Sequence, residues 1–192
     1  MSNSDLNKDL RHMADMAEEM EAYMRSDVLF WRTGSGPRLT LGGFLMRQHR
    51  ILALADELDS EGKALLNTAV SQFNEAMHEK IVRLETKVHT ELDARLRQWG
   101  EFLRDLEREA IVSRGFYANG VETRIMIEVL IEKMQTPPYR LESRILNTVE
   151  MHDRRLRRRW YPDEFILDEM WQPAYPVDEF WYLYGLPGKS GS

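Results

Sequence analysis

The 192-residue chain contains no cysteine, which excludes disulfides and thiolate metal sites and agrees with a reducing compartment. Long apolar runs are missing as well. Runs such as 125–127 and 129–131 fall far short of the ~20 residues of a membrane helix, and the first residues are acidic where a secretory signal is apolar. A cytoplasmic protein off the membrane is expected. Nor is there an excess of positive charge: 26 Lys and Arg stand against 32 Asp and Glu, so net charge −6 gives no general pull toward nucleic acid or anionic lipid. A working phosphate loop is lacking too. Gly188, Lys189 and Ser190 match the end of a P-loop, but position 183 is Leu where that motif needs Gly. No serine sits in a nucleophile elbow.

What is present is helical patterning in a composition of 43% hydrophobic and 30% charged residues, the balance of a globular protein with a good core. Leu66, Val70, Phe73, Met77, Ile81, Leu84, Val88, Leu92, Leu96, Trp99, Leu103, Leu106 and Ala110 advance 44 residues in 12 steps. At roughly 3.67 residues per step, this is the period of a nearly straight amphipathic helix. Gly100 allows continuity or a modest bend in it. Around this helix an all-α bundle is predicted, with helices at about 4–27, 40–58, 60–113, 121–135 and 138–160 forming one domain over 1–160. Ser4, Thr40 and Asp59 are the expected caps, the segment 33–37 is a connector, and Gly115 and Gly120 mark an exit from helix. Pro138 is placed to start the last helix. An irregular, acidic and aromatic-rich segment, 161–192, packs on these helices or on a partner.

The expected long helix leads to an expectation about partners. Forty-five helical residues span roughly 68 Å, against a diameter near 42 Å for a compact domain of this length. A helix that protrudes with its apolar stripe open to water calls for a cover, which a coiled-coil-like pairing in a symmetric homodimer supplies, the alternative being an elongated monomer whose helices fold back along the long one.

Candidate sites are few. Glu75 and His78 have the Glu-x-x-His spacing of helical di-iron proteins, and Glu85 and His89 follow on the same face. They lie at the edge of the stripe rather than inside it, and the second Glu-x-x-His pair is missing, so no metal or other cofactor is expected. Arg154, Arg155, Arg157, Arg158 and Arg159 form a basic cluster able to take phosphates, although an acidic tail folded onto it would serve equally well. Nine of the 19 aromatic residues fall between 160 and 184, a content that requires burial somewhere. Trp171, Tyr175, Phe180, Trp181, Tyr182 and Tyr184 are therefore candidates for docking a second protein if they are not part of the chain's own core.

With no catalytic constellation, the expected function is that of a non-enzymatic helical interaction or scaffold protein that self-associates through its long helix. Its alternative is a nucleic-acid-associated accessory protein acting through the 154–159 arginines. A helical metal-dependent enzyme ranks third.

Overall fold

The apolar 3/4 spacing resolves into six α-helices in the computed structural model, which describes residues 2–34, 36–109 and 111–188. They are α1 (Ser2–Arg25), α2 (Leu41–Ala53), α3 (Ser60–Met77), α4 (Ile81–Arg108), α5 (Arg114–Gln135) and α6 (Ser143–Arg157). The C-terminal region adds two strands, β1 (Trp160–Pro162) and β2 (Gly185–Pro187), and two short 3₁₀ turns, Glu169–Ala174 and Trp181–Leu183. This is an all-helical bundle with an aromatic-rich C-terminal region. No described helix is long and apolar enough to cross a membrane.

The main correction to the sequence reading is the expected helix at 60–113, which is two helices. It stops at Met77 and restarts at Ile81, with Glu79 at φ 57° in the left-handed region. The periodicity survives because each half carries its own stripe. Leu66, Phe73 and Met77 are buried on α3, which packs on α1, with Phe73 stacked on Phe44 of α2, whereas Leu84, Val88, Leu92 and Trp99 are buried on α4, which packs on α5 and α6. Ile81, counted on the stripe, is instead exposed at the start of α4. With the break, the protruding rod disappears, and neighbouring helices of the same chain cover the stripe. Ala110 lies outside the described residues, as do Lys189 and Ser190.

Other boundaries shift for local reasons. Helix α1 is already formed at Ser2, so Ser4 lies inside it rather than capping it, and it ends at Arg25. Thr40 does cap α2, accepting from the Gly43 N–H at 2.9 Å, and Asp59 caps α3, accepting from the Gly62 N–H at 2.7 Å. The turn Ala55–Glu57 replaces the end of the expected 40–58 helix. Ser113 caps α5, which runs straight through Gly115 and Gly120 and so starts well before the expected residue 121, while α4 ends at Arg108. Helix α6 begins at Ser143 rather than at Pro138, five residues past the prolines, whose 137–138 peptide bond is cis.

Helices α1 and α3 lie side by side, with Leu10 near Gly62 at one end and Glu21 bonded to Lys80 at the other. Helix α2 crosses from that layer to α5. Its start is fastened by one buried carboxylate. Glu91, fully buried, accepts the Gly42 N–H at 3.1 Å and the Arg95 guanidinium at 3.2 Å, and Arg95 also donates to Thr40. This explains the glycine at position 42: a Cβ there would lie 2.7 Å from Glu91 Oε1. Asp9 ties α1 to α2 in the same manner, held by Arg47 and Arg50.

Candidate functional site

Helix α4 is strapped along both flanks by side chains one turn apart. On one flank Arg83 donates to the Met24, Arg25 and Ser26 carbonyls, and Lys87 donates to Ser26 and Val28 at 2.9 and 2.8 Å. Burial and Arg83 beside it hold the Lys87 ammonium below its usual proton affinity, while its Nζ lies 4.1 Å over the Tyr23 ring. On the other flank Glu85 accepts the Arg140 N–H at 2.8 Å and His89 Nε2 accepts the Glu142 N–H at 3.2 Å. His89 Nδ1 therefore carries the proton it donates to the Glu85 carbonyl, 2.8 Å away.

Between the flanks the helix presents Val82, Thr86 and Thr90, four residues apart. Both threonine hydroxyls bond the carbonyl one turn back, at 2.9 and 2.8 Å, which leaves their methyl groups outward. With Ile81, Leu29 and the rim residues Asp27, Glu79, Lys80 and Arg83, this face lines a groove of about 830 Å³. Val82 is 75% exposed, and Val28 and Phe30, beside Leu29, are exposed as well. Sequence reasoning missed this face because Val82, Thr86 and Thr90 lie off the apolar stripe and read as a solvated side. The available signal was an Ile-Val pair at 81–82 with one member outside the stripe.

The metal candidates do not converge. Glu75 and His78 are exposed at the end of α3, where His78 meets Glu79 at 3.7 Å, and Glu85 and His89 serve as straps. Among the described residues no group of three or more His, Asp or Glu is placed to hold a metal ion.

The arginine cluster is largely engaged at home. Arg155 clasps Glu107 with two bonds of 2.5 Å, Arg159 donates to the Gly188, Leu106 and Glu109 carbonyls, and Arg157 stacks 3.7 Å over Trp181. Arg154 meets Glu150 at 3.7 Å and, like Arg158, is exposed. Among the described residues the acids paired with this cluster are Glu107 and Glu150 rather than those of the tail, the reading left open by the sequence; Asp163 of the tail pairs with Arg114.

The aromatic residues proposed for partner capture lie mostly in the core. Trp171, Tyr175, Phe180 and Tyr182 are buried, while Trp181 and Tyr184 are half-buried. Trp171 covers Arg50 at 4.4 Å, Tyr182 covers Arg124 at 4.6 Å, and the Tyr117 hydroxyl donates to the Tyr182 carbonyl at 2.9 Å. Burial pushes the Tyr175 phenol up to about 12. These residues are not a free recognition segment, because a two-stranded ribbon pins the region at both ends, pairing Trp160 with Pro187 and Pro162 with Gly185.

The fold and its surfaces thus define a class, an all-helical domain with an integral aromatic patch and an open apolar groove on its longest helix. Comparison with known protein families, characterised proteins and solved structures gives no match.

Proposed function

We propose that this chain is a non-enzymatic interaction protein that self-associates, with the α4 groove as its docking face. The observation that carries the reading is the concentration of exposed apolar surface there. Of the eleven large hydrophobic residues exposed among the described ones, Val28, Phe30, Ile81 and Val82 all lie on or beside this one groove. A second copy is the simplest occupant, since a two-fold pairing brings the same uncharged Val-Thr-Thr face from both sides.

Light scattering on the intact chain and on Val82→Asp tests this. Val82 is exposed, so the variant keeps the fold. Burying a valine is worth about 1.5 kcal/mol or more, and a two-fold interface counts it twice, so the variant should associate at least about tenfold more weakly. An intact chain that stays monomeric at about 100 µM, near −5.5 kcal/mol of association, would overturn self-association. A dimer indifferent to Val82→Asp would overturn this choice of face.

A further inference from the structure

The bend between α3 and α4 runs against local preference. Among the described residues Glu79 alone has a positive φ, 57°, a conformation unfavourable to a residue with a Cβ. His78, Glu79 and Lys80 include no helix breaker, and Phe73, Met77, Ile81, Leu84 and Val88 follow one another at helical spacing straight across them. The side chains of His78 and Glu79 are 79% and 85% exposed, so straightening the bend takes nothing of theirs out of the core. In a continuous helix Ile81, now exposed, would join the stripe between Met77 and Leu84.

The bend also divides the fold into two halves. Helices α1, α2 and α3 pack on one another, and they reach α4, α5 and the first 3₁₀ turn of the C-terminal region mainly through α2. The bonds of Gly42 to Glu91, of Thr40 to Arg95 and of His49 to the Ala174 carbonyl cross this boundary, as do those of Arg83 and Lys87 to the carbonyls at the end of α1. Each joins a residue before the bend to one after it, so each forms equally well with the other half of a second copy. A straight helix over 60–108, roughly 74 Å long, carries the first half away from its own second half, and another chain must then complete the fold. A short connection under strain between two interlocking halves favours such an exchange.

We propose that the chain dimerises by exchanging α1–α3, with α3 and α4 fused into one helix across 78–80 and each copy's first half docked on the second half of the other. The exchange rests on the self-association proposed above and gives it a form, in which Ile81 and Val82, immediately after the bend, lie at the new contact between the two straight helices.

Because the chain has no cysteine, Leu52→Cys with Glu132→Cys supplies a single pair across the cleft between α2 and α5, one thiol on each half and both positions exposed. Dimers of the full chain, isolated by size, diluted to suppress collisions and treated with a short bismaleimide, should run as covalent dimers on a denaturing gel. Dimers that merely touch would give internally linked monomers. Glu79→Gly relieves the bend and weakens the straight helix at both hinges of the dimer, so it should weaken dimerisation at least about thirtyfold. Glu79→Ala, which removes the same carboxylate from the groove rim, should not weaken it. Internal links only, a dimer indifferent to Glu79→Gly, or an equal loss with glycine and alanine would overturn the exchange and leave side-by-side docking through the α4 groove standing. A full chain monomeric at about 100 µM would overturn self-association and the exchange with it.

Discussion

His152 on α6 sits against Gly100 of α4 so closely that a Cβ on Gly100 would lie 2.8 Å from its Cε1, and its Nδ1 is buried without a partner. Burial first, and then the Arg155 charge, hold its pKa below the ordinary value of 6.5, with Arg104 adding to the effect and Asp153 and the Leu96 backbone opposing it. The unfolded chain takes up this proton near 6.5, whereas the folded chain resists until lower pH. Stability from this group is therefore complete above about pH 7.5 and is lost as pH falls through 6.5 toward the folded value, each tenfold loss of proton affinity being worth about 1.4 kcal/mol. The carboxylates held down by arginines, Asp93 by Arg144 and Glu107 by Arg155, titrate below this window. Melting temperatures between pH 8 and pH 5 should fall for the parent and stay flatter for His152→Gln. Equal slopes would show that another group governs the decline.

The junction between α3 and α4 separates two kinds of information. Period and burial agree over Leu84 to Leu106, where one side faces α5 and α6, so that helix, the Thr40 and Asp59 caps and the helical character of nearly the whole chain were readable. The break at 78–80 was not. His78, Glu79 and Lys80 contain neither Gly nor Pro, and the turn is fixed from outside, by Lys80 reaching Glu21 at 3.0 Å and Arg83 engaging the end of α1. A non-glycine residue at φ 57° is the point where tertiary contacts override local preference. Glu79→Gly distinguishes the two conformations by sign. In a continuous helix the change costs roughly 1 kcal/mol, whereas at a left-handed position it stabilises by about 0.5–1 kcal/mol. Urea denaturation should therefore move to a higher midpoint, and a lower one would mean a continuous helix. The groove was hidden for a related reason: whether Val82, Thr86 and Thr90 face solvent or a neighbour depends on where the connector after α1 runs.

Composition over 160–184 predicted burial but left open whether the cover was this chain's own helices or a second protein. The answer depends on arginines far away in sequence. Arg50 beneath Trp171, Arg124 beneath Tyr182 and Arg157 beneath Trp181 come from three different helices, and the β1–β2 ribbon closes the segment into a loop over them. The segment therefore completes the core rather than decorating it. Trp171, Tyr175, Phe180 and Tyr182 together bury enough apolar surface to contribute about 6–12 kcal/mol at roughly 1.5–3 kcal/mol each, comparable with the whole net stability of about 5–15 kcal/mol typical of a domain. A chain ending at Trp160 should consequently keep much of its helical far-ultraviolet signal while losing its near-ultraviolet aromatic signal and its cooperative urea transition. Removal would also uncover Tyr117 and the guanidinium of Arg124, leaving a buried ion-pair network with Asp153 and Glu128 open to water. If the shortened chain still unfolds in one sharp transition with a native aromatic spectrum, the helices alone hold the fold, and the C-terminal aromatics become available for a partner after all.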